Sequence, residues 1–376
     1  MEVNNKPGEG NNNAPSDSAP SEKPEKKKSN VKNYLLSGVF LVALMAVTFY
    51  VIFKDNSIKD IWGVLRHVKL VYASAGILAM LGFFYFQGLV INLSSQCVKV
   101  RLSTWEMMQY SFVGFFYSGI TPSAIGGQPM QFYHMCRDKM NVSLATLVLF
   151  LANLTYQLVI VVLGLTMFIA KHQFVASTNG TLVIFFFLGL SVNVIILLII
   201  AGALLSENLL RKVLNGFVSF LTKIKIIKDP QNALMSIENY LEEFKSGVGL
   251  LKANKLRFFC ILLSTSAHFL LYHMIPFFVY RAFGFMDYSL FDFVAISAVL
   301  YVAINMFPLP GSVGAAESGF VMLFTPFFGK TILPAMLLSR FINFYTMIIL
   351  SGIIAAFAQL RKPYNLSDKA HEFNKQ

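Results

Sequence analysis

Long apolar runs divided by shorter polar stretches dominate the chain, and run length sets what each can form. A helix needs about 20 mostly apolar residues to cross a hydrocarbon core about 30 Å thick. Runs of that kind occur at residues 34–53, 71–94, 141–169, 181–205, 257–283 and 331–357. The pattern predicts an all-α integral membrane protein with six full spans.

Two further apolar stretches do not fit a simple crossing. Residues 104–138 are interrupted by Gly119-Ile-Thr-Pro-Ser-Ala-Ile-Gly-Gly-Gln-Pro129, and residues 290–329 by Pro308-Leu-Pro-Gly-Ser-Val-Gly-Ala-Ala-Glu317. Each flanking arm is about 15 residues, which at 1.5 Å per residue reaches roughly 23 Å and falls short of a crossing. Proline removes a backbone donor, so such a turn leaves peptide groups unsatisfied. At membrane depth this is tolerated only inside protein or facing a wet cavity. The expectation is two re-entrant helical hairpins beside the six spans, or seven to eight transmembrane segments by ordinary hydropathy.

Basic residues test the orientation. With both hairpins re-entrant and the N-terminus cytoplasmic, Lys26, Lys27, Lys28, Arg101, Arg137, Arg211, Lys212, Arg257, Arg361 and Lys362 fall on the cytoplasmic side. Fewer remain outside, among them Lys54, Arg66, Lys171 and Arg281. That bias is the positive-inside rule. Both termini are then cytoplasmic, and each half reads span, span, hairpin, span, entering from opposite sides. The predicted organisation is a basic disordered tail (1–33), a first membrane repeat (34–169), a second, inverted repeat (181–357) and a cytoplasmic tail (358–376). The second repeat contains a cytoplasmic loop (206–256) in which residues 232–251 have amphipathic helical spacing. Inverted repeats bind their substrates near the midplane, where broken helices offer free backbone groups.

Composition agrees: 56% of residues are hydrophobic and 13% charged, well below the roughly 25% charged of soluble domains. The net charge of +12 is explained by the loops that flank spans, so no nucleic acid partner is expected. Cys97, Cys136 and Cys260 lie far apart without CxxC spacing, and no HExxH, GxSxG or glycine-rich nucleotide loop occurs. No metal, cofactor or catalytic residue is expected.

Polar side chains in hydrocarbon are costly, about 2.5–3.5 kcal/mol for a central Arg or Asp, so those present are candidates for function. Glu317 and Arg340 are either a structural pair or groups that meet a charged substrate. Gln128 and Asn305 border the two turns, where they can donate to phosphate or cap broken helix ends. Arg137 stands where the first hairpin leaves the membrane, and either collects an anionic headgroup or snorkels. Asn153 and Gln157 share one face of a span, which suits interhelical hydrogen bonding. With the turn residues Pro122, Gly126, Gly127, Pro129, Pro310, Gly311 and Gly314, the first five named above other than Asn153 and Gln157 make up the expected substrate site.

The strings Thr121-Pro-Ser-Ala-Ile-Gly-Gly-Gln-Pro129 followed by Arg137, and Pro308-Leu-Pro-Gly-Ser-Val-Gly-Ala-Ala-Glu317 followed by Arg340, resemble the membrane domain of the lysylphosphatidylglycerol synthase family, also called the multiple peptide resistance factor family. The resemblance covers roughly residues 30–360. It implies a flippase-like domain of the bacterial cell membrane that handles a phospholipid such as aminoacylated phosphatidylglycerol, and so contributes to surface charge and cationic peptide resistance. Full-length members add a soluble transferase that moves lysine from tRNA to phosphatidylglycerol. That transferase is not expected in this chain, so the lipid would come from a separate lipid-modifying synthase. A lysyltransferase activity is the alternative. This sequence departs from the pattern of that family, in which many members carry an acidic residue where Gln128 stands and another near Asn153.

Overall fold

The computed structural model describes residues 63, 65–121, 124–178, 180–206, 255–304 and 314–364, with isolated positions at 208, 211, 212, 215, 216, 219, 241 and 366. The expected span at 34–53, the N-terminal tail and nearly all of the amphipathic stretch 232–251 lie outside the described residues.

Every regular element among the described residues is helical. In chain order they are α1 (Leu70–Cys97), α2 (Thr104–Ile120), α3 (Gly127–Arg137), α4 (Val142–Thr178), α5 (Gly180–Leu205), α6 (Lys255–His273), α7 (Ile275–Ala282), α8 (Leu290–Ile304), α9 (Ala315–Phe328), α10 (Ile332–Arg340) and α11 (Thr346–Leu360). A single turn of π-helix, Phe341–Tyr345, joins α10 to α11.

Five runs are long and apolar enough to cross a membrane: Leu70–Cys97, Val142–Ser177, Gly180–Leu204, Lys255–Ala282 and Ala315–Leu360. The last is not one rod. Gly329 takes φ +52° and ψ −126°, a region that glycine adopts without the Cβ penalty, and residues Gly329–Thr331 form a short 3-10 turn between α9 and α10. α9 and α10 pack on each other across it.

Contacts at the helix ends define two faces of the bundle. At one, Arg257 at the start of α6 donates to the Gln96 carbonyl at the end of α1 (2.7 Å), and Asp138 just past α3 accepts from Tyr110 of α2 (2.8 Å) and pairs with Arg361 just past α11 (2.6 Å). At the other, the Lys69 amide before α1 donates to the Ala282 carbonyl ending α7 (2.8 Å), and Lys171 near the end of α4 pairs with Asp292 at the start of α8 (2.5 Å).

These contacts give each helix a direction. Helix α2 starts at the first face with a capping box, in which the Ser103 amide donates to the Glu106 carboxylate (2.7 Å) and the Glu106 amide to the Ser103 hydroxyl (3.3 Å). The chain turns between α2 and α3, and α3 returns to the face from which α2 set out. The arms are unequal, 17 residues against 11. At 1.5 Å per residue they reach about 26 Å and about 17 Å, so α3 is shorter than the 15-residue arm expected from the sequence.

The two arms approach closely because glycines face each other. A Cβ on Gly127 would lie 2.0 Å from the Ser118 hydroxyl and 2.6 Å from the Gly114 carbonyl, and one on Gly114 would lie 2.2 Å from Gln131 Nε2. Small residues at such contacts are how helices pack without a hydrophobic driving force.

Outside, the bundle is greasy. Helix α5 exposes Ile184, Phe187, Leu188, Ile195, Leu198 and Ile199, and α11 exposes Ile349, Ile353 and Phe357. A surface of this kind would aggregate in water but is solvated by lipid chains. Inside, one aromatic cluster gathers Tyr280, Phe293, Phe320, Phe324 and Phe328, and a second core packs Val98, Leu102, Tyr110, Met135 and Leu147 near the first face.

Candidate functional site

A cavity of about 450 Å³ is walled by α1, α2, α3, α4, α5, α6, α8, the start of α9, the end of α10 and the π turn. Its polar lining comes from separate helices: Gln87 of α1, Gln128 and Gln131 of α3, Asn153 and Gln157 of α4, Asn193 of α5, and Asn343 of the π turn. Aromatic walls are supplied by Phe83, Phe115, Tyr156, Phe269, Tyr272, Tyr301 and Phe344. His268 also lines it, stacked on Phe83 (ring centroids 3.9 Å apart) with Nδ1 2.9 Å from the Phe83 carbonyl.

Among the described residues, one charged residue reaches the wall. Arg340 ends α10, is 7% exposed, and donates from Nε to Glu317 Oε1 (2.7 Å). Glu317 is 4% exposed, sits in the first turn of α9 and turns its other oxygen back onto the Gly314 amide (2.5 Å). The carboxylate therefore holds the guanidinium from behind and is not itself on the wall. Burying two charges costs several kcal/mol per ion unless each is well paired and hydrogen bonded, which this geometry provides.

Some hydrogen-bonding capacity at the cavity is left over. Arg340 Nη2, Gln157 Oε1 and Asn343 Oδ1 are buried without a partner. Buried polar groups are nearly always satisfied, and exceptions call for an explanation such as a bound ligand or water. Gln128 and Asn153 are in a different position: each amide donates to the other's oxygen at 2.5 Å, so they tie α3 to α4 as a closed pair.

Two helices begin at this wall. Gly127 and Gln128 open α3 and Ala316 lies in the first turn of α9, and all three line the cavity. The N-terminal end of a helix carries free amides and partial positive charge. At α3 the turn is fixed by Thr121, whose hydroxyl accepts from the Gly126 amide (2.9 Å) and donates to the Tyr117 carbonyl (2.6 Å).

Of the residues expected from the sequence, Gly127, Gln128 and Arg340 lie on the cavity wall, with Glu317 behind it. Gly126 caps α3 and packs on Thr121, and Pro129 occupies the third position of α3, where a missing amide hydrogen costs little. Gly314, at φ +87°, caps α9. Arg137 is elsewhere, at the far end of α3, donating to the Ala358 (2.7 Å) and Arg361 carbonyls that end α11. Pro122, Asn305, Pro310 and Gly311 lie outside the described residues.

The sequence reading did not assign Gln87, Gln131, Asn193 or Asn343, the cavity tyrosines or His268 to a site. The one available signal was the recurrence of carboxamides within otherwise apolar helices.

Nearer the first face, Arg361 bridges Asp138 with two nitrogens (2.9 and 2.6 Å) and donates from Nε to Gln109 (2.9 Å). Burial disfavours the charged guanidinium, but the Asp138 carboxylate outweighs it and raises the Arg361 pKa, so Arg361 stays charged.

An apolar-surfaced helical bundle around a polar, argininyl cavity defines a multi-pass membrane protein. The chain belongs to the lysylphosphatidylglycerol synthase TM region family, whose model matches residues 35–351. No curated protein matches it.

Proposed function

We propose that this protein moves the headgroup of a membrane phospholipid from one leaflet to the other through the central cavity, while the acyl chains stay in the bilayer. The observation that carries this reading is the set of unpartnered buried polar atoms, Arg340 Nη2, Gln157 Oε1 and Asn343 Oδ1, at a cavity within an apolar bundle. A headgroup supplies the partners those atoms lack. Val192 and Ile196 of α5 line the cavity and are exposed, which gives the wall an apolar margin toward the lipid side.

In this reading α2 with α3, and α8 with α9, are two re-entrant hairpins entering from opposite faces. With the expected span at 34–53, the two halves form an inverted repeat of six spans and two hairpins. Such an arrangement places the cavity where one half can rock against the other. The face carrying Arg101, Arg137, Arg257 and Arg361 is taken as cytoplasmic.

The test is a vesicle assay with the full chain and fluorescent phospholipids of several headgroups, scored by dithionite quenching. Movement above protein-free vesicles, lowered by Asn343→Leu, supports the reading. No movement for any headgroup overturns it.

A further inference from the structure

Headgroup chemistry can be read from the cavity wall, on the premise that the cavity takes lipid headgroups at all. We propose that the site selects a phosphodiester whose remaining headgroup is an uncharged polyol, and discriminates against a cationic, aminoacylated one.

The first argument is charge. Among the described residues no Asp or Glu lines the cavity, and Glu317, behind the wall, has both oxygens committed, one to Arg340 and one to the Gly314 amide. What faces the cavity is the guanidinium and the starts of α3 and α9. These attract an anion and repel an ammonium group. Arg340 Nη2, buried and unpartnered, is a donor suited to a phosphate oxygen.

The second argument concerns what surrounds that donor. Carboxamides both donate and accept, so they match hydroxyl groups, which do the same. Gln157 Oε1 and Asn343 Oδ1 are acceptors without a donor, and hydroxyl hydrogens would satisfy them. An ammonium group would also satisfy an acceptor, but with no carboxylate on the wall it would bring an uncompensated charge into a low-dielectric site beside Arg340. That is the more costly outcome.

Third, Gln128 and Asn153, which both line the cavity, are neutral, and each gives one amide N–H to the other's oxygen at 2.5 Å. The stacked rings of Phe83, His268 and Tyr156 form an aromatic wall against which the C–H faces of a polyol can pack.

The experiment uses the purified full-length chain in detergent, titrated with dioctanoyl lipids and read by thermal stabilisation. The lipids are phosphatidylglycerol, phosphatidylinositol and lysylphosphatidylglycerol. Phosphatidylglycerol and phosphatidylinositol are expected to bind at least about tenfold more tightly than the lysyl lipid, a difference of about 1.4 kcal/mol. Preference for only one of the two polyols also supports the proposal and identifies the source of the headgroup. Gln157→Leu and Asn343→Leu should weaken the polyol lipids, and Gln128→Glu should narrow or reverse the discrimination against the lysyl lipid.

Tighter binding of the lysyl lipid, or equal binding of all three, overturns the proposal. If that result comes with lipid movement in vesicles, the transport reading stands and only the headgroup assignment falls. If no lipid binds and none moves, both fall.

Discussion

Gln128 on α3 and Asn153 on α4 exchange two amide hydrogen bonds of 2.5 Å, closing on each other a pair of side chains that both line the cavity. The pair joins the returning arm of the first folded-back pair to the long helix that follows it. Its energetic weight is modest, because interhelical side-chain bonds in membranes average about 0.6 kcal/mol. A double-mutant cycle with Gln128→Leu and Asn153→Leu, read by unfolding in mixed micelles, should give a coupling of about 0.5–1.5 kcal/mol. A coupling of zero would mean that the two amides do not act as a unit.

The Glu317–Arg340 pair should behave differently because it is buried. Glu317→Gln leaves the guanidinium without its carboxylate and should destabilise the chain by about 3–5 kcal/mol. The double variant Glu317→Gln with Arg340→Met removes both charges and should recover much of that stability without recovering lipid movement. If the double variant is as unstable as the single one, shape rather than charge dominates the pair.

Helix contact predicts a contrast between glycines. Gly127→Ala would push a methyl group against the Ser118 hydroxyl and the Gly114 carbonyl, while Gly180→Ala meets nothing within 4 Å. Overpacking of this kind costs about 1–3 kcal/mol, so thermal unfolding should separate the two variants clearly. Equal midpoints would show that α2 and α3 can part without cost.

Sidedness is open to chemical labelling. In a background without Cys97, Cys136 and Cys260, Lys99→Cys before α2 and Lys139→Cys after α3 should react from the same face of oriented vesicles. Lys69→Cys and Arg281→Cys should react from the other. Reaction of Lys99→Cys and Lys139→Cys from opposite faces would rule out a re-entrant first hairpin.

Asp138 gathers contacts from three directions: the Tyr110 hydroxyl, the Arg361 guanidinium and the Tyr364 amide. Asp138→Ala strands a charged Arg361 that the carboxylate had held in place. Limited proteolysis with trypsin should then cut after Arg361 at a markedly higher rate than in the unchanged chain, Lys362 being protected by Pro363. Unaltered cleavage would show that the segment is held without the carboxylate, by Arg137, Gln109 and apolar contacts.

Much of the bundle was legible in the sequence because spanning helices declare themselves by length. The expected runs 71–94 and 181–205 correspond to helices 70–97 and 180–205. The Gly/Pro interruption near residue 121 likewise marked where the chain turns back, since backbone that cannot stay helical must break. The run ending at 357 was recognised, but not the wide turn of π-helix inside it, which has no compositional signature.

The cavity was less legible. Gln87, Asn193 and Asn343 are single polar residues on three separate elements, and only packing brings them together. Arg137 was expected either to collect an anionic headgroup or to snorkel, and its guanidinium also clasps the carbonyl end of α11. A residue at a helix end has two sets of partners in reach, solvent or headgroups on one side and a neighbour's free carbonyls on the other. Sequence does not show which neighbour is near.

Glu317 and Arg340 are only 23 residues apart, joined through the Gly329 turn. As the chain emerges during synthesis the acid comes first and the base follows on the adjoining helix. The loop that unites them is short and cheap to close. The pair can therefore cancel within one helical hairpin before α11 arrives, so the acid and the base need not enter the bilayer as two separate ions.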